Sequence, residues 1–174
     1  VLSFLDSPSN GLLIADEVGL GKTIEAGLIW TELRARYDAR RLVVVCPAML
    51  RDKWCDELNT RFGVNAEIVD AAGLEKELNK DKHQVADGKG LVCSLQGLRP
   101  SHNWAAGGPA NSQRDSLANL MDSLASDEPV IDLLIIDEAH YLRNPETSTA
   151  KLGHMLREIT EHIVLLSATP VNLK

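Results

Sequence analysis

The amino-acid sequence predicts an α/β fold built on a mainly parallel sheet with helices on both faces. Five predicted strands are continuous apolar runs, which is typical of strands buried on both sides. Segments with helical spacing lie between them. Ligands of such sheets bind beyond the carboxyl ends of the strands. We therefore expect one functional edge, because polar clusters directly follow Ala15, Cys46, Cys93, Ile136 and Leu166.

The composition fits one such domain. The chain has 174 residues, of which 44% are hydrophobic and 25% charged, enough for a core. No apolar run approaches transmembrane length, so we expect a cytoplasmic protein with no membrane partner. Cys46 and Cys93 end apolar runs and are expected to be buried, reduced thiols. The net charge of −7 argues against a broad basic surface, so any contact with nucleic acid is expected to be local.

The strands are predicted from their apolar runs, and their ends from the residues that follow. Pro47 ends the second strand, Asp137 the fifth and Ser167 the sixth. The predicted strands are residues 12–15, 42–46, 66–69, 91–93, 133–136 and 163–166.

The helices are predicted from apolar residues spaced three or four apart. In the helix that follows Pro47, Leu50, Trp54 and Leu58 share one face, and Trp54 is interpreted as a core residue. The segment 99–113 contains two Pro, two Gly and two Asn and is predicted to be the least ordered. The other predicted helices are residues 24–36, 74–78, 114–125 and 148–161.

The stretch between the first strand and the first helix has the pattern of a phosphate-binding loop. Its two glycines let backbone N–H groups turn toward a phosphate, and the helix N-terminus points to the same place. Lys22, expected at an exposed end of the loop, can reach the β- and γ-phosphates of ATP, and Thr23 can ligate Mg²⁺. The alternative is a glycine-rich turn before a core helix. The expected nucleotide-binding residues are Asp16, Glu17, Gly19, Leu20, Gly21, Lys22, Thr23 and Ile24.

A second polar cluster follows the predicted strand 133–136. Asp137 is expected to hold Mg²⁺ next to Thr23, and Glu138 to accept a proton from the water that attacks the γ-phosphate. His140, with the hydroxyls of Ser167 and Thr169, is expected to sense whether the γ-phosphate is present. Lys22, Asp137 and Glu138 are therefore the predicted catalytic residues. The alternative for the two acids is a solvated acidic turn.

Three stretches together resemble motifs I, II and III of superfamily 2 helicases: residues 16–27, 137–140 (Asp-Glu-Ala-His) and 167–170. The Gly-Leu-Gly-Lys-Thr core is similar to that of the Swi/Snf-related ATPases. So are Cys46-Pro47, with Leu50, Trp54 and Glu57 after it, and Asn144. Residues 24–27 look most like the bacterial branch that includes the RNA polymerase-associated ATPase.

This resemblance implies that residues 1–174 form the first of two RecA-like lobes of an ATP-driven translocase on double-stranded DNA. The adenine-recognition motif is then expected upstream of Val1, and the second lobe with its arginine fingers beyond Lys174. In this family, the segment after Pro47 and the one near Ser94 contact the phosphate backbone of DNA. The residues that match are Pro47, Ala48, Met49, Ser94 and Leu95.

Two other functions stay open at this point. One is a nucleotide-switched docking module for a partner such as RNA polymerase or another DNA-bound complex, which the acidic net charge favours. The other is a restriction or phage-defence translocase, which shares motifs I to III. The resemblance to the bacterial branch implies a place in the bacterial cytoplasm or nucleoid.

Overall fold

The computed structural model of the chain describes Phe4, residues 10–15 and residues 21–168. Five of the predicted site residues lie outside these described residues: Asp16, Glu17, Gly19, Leu20 and Thr169.

The described strands form one six-stranded sheet in the order β1-β6-β5-β2-β4-β3. Every pairing in it is parallel. The predicted parallel sheet is therefore confirmed. The strands are β1 (Gly11–Ala15), β2 (Leu42–Cys46), β3 (Asn65–Ile68), β4 (Lys89–Ser94), β5 (Ile131–Ile136) and β6 (Thr160–Ser167).

Helices and short 3-10 turns connect the strands. The α-helices are α1 (Gly21–Tyr37), α2 (Arg51–Phe62), α3 (Ala71–Leu78), α4 (Leu95–Leu98), α5 (Gln113–Leu124) and α6 (Ser148–Glu158). The 3-10 helices are Ala48–Leu50, Lys82–Gln84 and Ala139–Leu142. Four α-helices begin where a side-chain oxygen accepts a backbone N–H of the first turn, which compensates for the missing helical partner. These N-caps are Asp70, Ser94, Ser112 and Thr147.

Several boundaries differ from the predictions for local reasons. Helix α3 begins three residues early because Asp70 caps it through the N–H of Gly73. Helix α6 ends at Glu158 rather than near residue 161, because Thr160 already starts β6 and its hydroxyl donates to the carbonyl of Leu156 at 2.6 Å. Helix α2 ends at Phe62, and its C-cap, Gly63, has a φ of 59°, which suits a residue without a side chain.

Two apolar clusters cover the two faces of the sheet. One joins α1 and α2 to Leu42, Val44 and Cys46 of β2. The other joins α3, α4, α5 and α6 to Val43 and Val45 of the same strand. Alternate residues of β2 thus face opposite clusters, which explains why the strand is apolar throughout. Cys46 and Cys93 are both buried and free, as predicted.

The carboxyl ends of five neighbouring strands lie along one edge of the sheet. Ala15 pairs with Ser167. Ile136 is in register with Leu165 of β6 and with Val45 of β2. Cys46 in turn pairs with Ser94. The polar residues that follow these strands therefore share one edge, as the sequence predicts.

The opposite edge of the sheet is held by a buried arginine and an aspartate. Arg41 is 1% exposed. Its guanidinium donates to the carbonyls of Val130 and Glu77, both at 2.8 Å, and of Lys80 at 3.1 Å. Asp132 accepts the backbone N–H groups of residues 40 and 41, both at 2.8 Å. These contacts tie the starts of β2 and β5 to the end of α3.

The segment predicted to be least ordered carries no helix or strand between Arg99 and Ser112, yet it is tied to α5. The N–H of Ser101 donates to Asp115 at 2.8 Å. The Trp104 indole donates to Asn119 at 2.8 Å, and the Asn119 amide donates to the carbonyl of Gly108 at 3.0 Å. Among the described residues, no helix is long and apolar enough to cross a bilayer.

Candidate functional site

A cavity of about 180 Å³ opens at the carboxyl edge of the sheet. It is smaller than the pockets of about 300–1,000 Å³ that enclose drug-sized ligands. A space of this size suits phosphate groups and a metal ion better than a whole nucleotide. Its described lining residues are Lys22, Thr23, Leu50, Lys53, Trp54, Glu57, Asp137, Glu138 and Ala168. Four residues predicted from two separate motifs thus line one cavity: Lys22, Thr23, Asp137 and Glu138.

Lys22 and Thr23 lie in the first turn of α1 and are both largely buried, at 7% and 8% exposure. The expectation that Lys22 is an exposed loop-end charge is therefore wrong. The reason is local: the helix begins at Gly21 rather than at Ile24, so both side chains belong to its N-terminal turn. The positive end of the helix dipole and the ammonium group of Lys22 make this turn favourable for an anion. Ile24, at 38% exposure, is turned toward solvent.

Asp137 follows β5 directly, and its carboxylate accepts two hydrogen bonds. The backbone N–H of Glu138 donates to Oδ1 at 2.8 Å. The indole Nε1 of Trp54, on α2, donates to Oδ2 at 2.9 Å. The backbone N–H of Asp137 itself donates to the carbonyl of Val45 at 2.9 Å, which continues the pairing with β2. Both carboxylate oxygens are therefore oriented by the protein.

Glu138 adopts a left-handed backbone conformation, with φ 54° and ψ 46°. This region is costly for a residue with a side chain and is found where the surrounding structure enforces it, often at functional sites. The turn directs Glu138 into the cavity beside Asp137. Its Oε2 lies 3.1 Å from Nδ1 of His140, although this nitrogen makes no hydrogen bond among the described residues.

The other residue expected to respond to the γ-phosphate, Ser167, is fully buried at the end of β6. This strand pairs with β5, so Ser167 lies one strand away from Asp137. Ala168 follows it and lines the cavity.

The edge also contains the Cys46 thiol, whose pKa is raised to about 12, first by burial and then by the charge of Asp137. Cys46 is therefore a neutral packing residue.

The residues expected to contact DNA lie along the same edge but differ in what they present. Met49 is 86% exposed, in the 3-10 helix between Pro47 and α2. The N–H of Ala48 donates to the Gln96 side chain at 3.3 Å. Leu95 is 3% exposed and belongs to the core, and the hydroxyl of Ser94 accepts the N–H of Gly97 at 2.9 Å. Pro47 and Met49 therefore offer surface to a ligand, whereas the side chain of Leu95 does not.

Helix α2 supplies a wall of the cavity that sequence reasoning did not assign to the site. Lys53, Trp54 and Glu57 line it, and the resemblance in sequence includes Trp54 and Glu57 without giving either a role at the site. Trp54 is 3% exposed, so its interpretation as a core residue holds for its ring. Its N–H reaches Asp137 nevertheless. The available signal was chemical, because a buried indole N–H usually needs an acceptor.

The oxygen donors of the cavity fit Mg²⁺. The described residues contain no group of three or more His, Cys, Asp or Glu side chains that could hold a metal ion. Mg²⁺ usually keeps several waters and binds one or two carboxylates together with substrate phosphates. The hydroxyl of Thr23 and the carboxylate of Asp137 line the same cavity and are donors of this kind.

Two bacterial proteins are similar to this chain along most of its length. Both are described as RNA polymerase-associated protein RapA, one from Yersinia enterocolitica serotype O:8 / biotype 1B and one from Yersinia pseudotuberculosis serotype O:1b. Each is 33% identical over 165 residues, which is 93% of this chain. The chain spans only 15% of the length of these relatives.

A solved structure shares the fold. It is the Sulfolobus solfataricus SWI2/SNF2 ATPase core in complex with dsDNA, with a TM-score of 0.61 and 18% sequence identity. The match covers 94% of this chain and 29% of that one. This likeness supports the RecA-like α/β fold predicted for the chain.

The motifs, the sheet order and these similarities agree with a family model for the SNF2-related domain, which matches residues 1–174. The chain therefore belongs to the SNF2-related domain family.

Proposed function

We propose that this chain is the ATP-binding, N-terminal lobe of an ATP-dependent translocase that moves on double-stranded DNA. One observation carries the proposal: Lys22 and Thr23 of α1 line the same cavity as Asp137 and Glu138, which follow β5. A cation, a hydroxyl and two carboxylates around a space of phosphate size are the groups that phosphoryl transfer requires.

The residues divide the work of hydrolysis by their chemistry. Lys22 binds the β- and γ-phosphates as a point charge. Thr23 and Asp137 hold Mg²⁺, which neutralises charge on the phosphates when it is bound. Glu138 accepts a proton from the attacking water, and its left-handed turn fixes its position relative to Asp137. The loop residues Asp16, Glu17, Gly19 and Leu20 complete the phosphate cradle in this proposal.

Coupling to the γ-phosphate is assigned to the neighbouring strand ends. His140 lies next to Glu138, and Ser167 ends the strand beside β5. In the proposal, His140, Ser167 and Thr169 respond to the γ-phosphate and pass its presence to a second RecA-like lobe. That lobe supplies the arginine finger, a group worth about 10³–10⁵ in rate.

Double-stranded DNA is the proposed substrate, along which the protein moves. The family, and the duplex bound to the Sulfolobus protein, support this choice. Pro47, Ala48 and Met49 lie at the exposed edge, and Ser94 and Leu95 lie at the start of α4, where backbone groups rather than the buried Leu95 side chain would meet phosphates. With a net charge of −7, the lobe is expected to bind duplex weakly by itself, and more weakly as salt rises.

RNA polymerase is the second candidate partner. The relatives from Yersinia are named for their association with it, and the acidic charge of this chain suits a docking role better than a basic one would. In this alternative the chain is a nucleotide-switched docking module that works little on DNA. Either function is proposed for the bacterial cytoplasm, where polymerase and nucleoid DNA are found.

The experiment measures steady-state ATP hydrolysis by the full-length protein with no addition, with linear duplex DNA, and with RNA polymerase. The translocase proposal predicts strong stimulation by duplex, and displacement of a third strand from a triplex as the protein moves. The variant Glu138→Gln should bind ATP and fail in both assays. Stimulation by polymerase alone, with no displacement of the third strand, would instead establish the docking module.

A further inference from the structure

Trp54 connects the core of the domain to the metal side of the cavity. Its ring is 3% exposed and packs in the same apolar cluster as Leu58 and Cys46. Its Nε1 donates to Oδ2 of Asp137, which lies outside that cluster, at 2.9 Å. The second donor to this carboxylate is the backbone N–H of Glu138. Among the described residues, Trp54 is thus the side chain that donates a hydrogen bond to Asp137.

Packing alone does not explain this contact. Trp30, on α1, is 0% exposed, and its Nε1 has no hydrogen-bond partner among the described residues. The fold thus tolerates a buried indole whose N–H is unpaired. The N–H of Trp54, by contrast, donates to a single oxygen, Oδ2 of Asp137. Its helix, α2, begins directly after the segment Ala48–Leu50, which contains no buried residue.

We propose that Trp54 is a positioning residue that orients Asp137 for Mg²⁺. This inference rests on the proposed function, in which Asp137 holds the metal. The indole N–H and the Glu138 N–H donate to opposite oxygens, which restrains rotation of the carboxylate plane, and Asp137 lines the cavity. Groups that orient a metal ligand in this way typically contribute about 10–100-fold to metal affinity or activity.

The test uses the full-length protein and measures two affinities by the fluorescence of a labelled ADP. The first is the affinity for ADP without metal, and the second is the Mg²⁺ concentration that half-saturates the Mg²⁺-dependent signal. Trp54→Phe keeps most of the buried ring and removes the donor. We expect it to raise the half-saturating Mg²⁺ concentration about tenfold, with ADP affinity in the absence of metal unchanged.

Trp104→Phe is the matched control. It makes the same chemical change at an indole whose N–H donates to Asn119 at 2.8 Å, on the segment tied to α5 and outside the cavity lining. It should leave the Mg²⁺ requirement unchanged. If Trp54→Phe does not fold, β-(3-benzothienyl)alanine at position 54 preserves the bicyclic shape and replaces only the N–H by sulfur, so the same shift is expected.

A double-variant cycle separates positioning from packing. In an Asp137→Asn background, the oriented charge is gone, so Trp54→Phe should cause no further change in the Mg²⁺ requirement. A Trp54→Phe shift below twofold, or an equal shift in the Asp137→Asn background, would overturn the inference and leave the proposed function standing. If Asp137→Asn itself left the Mg²⁺ requirement unchanged, the proposed metal role of Asp137 would fail, and the inference with it.

Discussion

Replacing Arg41 with Met should destabilise the fold without altering the nucleotide site. Arg41 is almost fully buried at the edge of the sheet opposite the cavity, where it binds three carbonyl oxygens. Met retains much of the aliphatic volume, so the loss is mainly of hydrogen bonds rather than of packing. Arg41→Met therefore measures what these three hydrogen bonds, called here the Arg41 clamp, contribute to stability.

The magnitude follows from the partners. The carbonyl of Glu77 also accepts the N–H of Lys80 at 3.2 Å, so it keeps a donor. The carbonyls of Val130 and Lys80 lose the part-buried hydrogen bonds from Arg41, and a hydrogen bond to a charged group contributes about 1.5–3 kcal/mol. Burial lowers the pKa of Arg41, against the attraction of Asp132, so removing the charge returns part of this cost. We expect a net loss of about 2–3 kcal/mol, or about 5–10 °C in Tm for a domain of this size.

The assay is urea and thermal unfolding of the purified chain, with Arg40→Met as the matched control. Arg40 precedes Arg41, but its side chain pairs with Asp38 at 3.1 Å, and Asp38 is 76% exposed. Surface pairs of this kind contribute less than about 1 kcal/mol. Equal losses of stability in the two variants would refute the clamp. A loss of nucleotide affinity in Arg41→Met would refute its separation from the site.

Three further predictions concern single side chains. Lys22→Ala should weaken ATP binding about 10- to 100-fold in a calorimetric titration, the effect of one hydrogen bond to a charged group, and an unchanged affinity would remove Lys22 from the site. Glu138→Gln should bind ATP normally yet show no burst or steady-state phosphate release; turnover at the wild-type rate would show that Glu138 is not the base. The Ser101 N–H holds the pKa of Asp115 below its usual range, so Asp115 stabilises the fold above about pH 4 and loses this contribution as the pH falls through the lowered pKa. The free energies of unfolding of Asp115→Asn and of the wild type should therefore converge as the pH falls, and a difference independent of pH would show that the charge of Asp115 does not stabilise the fold.

The parallel sheet and its functional edge could be predicted because five of the strands contain continuous apolar runs followed by a polar residue. The order of the strands could not, because it depends on pairings between distant segments such as β1 with β6. Helix starts were missed where a cap decided them: Asp70 begins α3 three residues before its apolar face becomes apparent. Lys22 was predicted to be exposed because the spacing of apolar residues predicts a helix from Ile24, whereas Lys22 already belongs to the helix Gly21–Tyr37.

The members of the candidate site that come from motifs could be predicted, but the contribution of α2 could not. Trp54 reaches Asp137 only because β2 and β5 are neighbours, which places α2 above the end of β5. The contacts of Arg41 were likewise unpredictable, since its three carbonyl partners come from two separate segments, the end of α3 and the residue before β5. Spacing within a segment carries no information about such contacts.

The most direct test compares ATP hydrolysis by the full-length protein and by the isolated 174-residue chain, each with and without duplex DNA. If the chain is one of two lobes and the arginine finger lies in the other, duplex should stimulate the full-length protein. The isolated chain should then hydrolyse ATP at least about 10³-fold more slowly and should not respond to DNA. Robust DNA-stimulated turnover by the isolated chain would contradict the two-lobe mechanism and would direct attention to Arg99 and Arg143 as internal fingers.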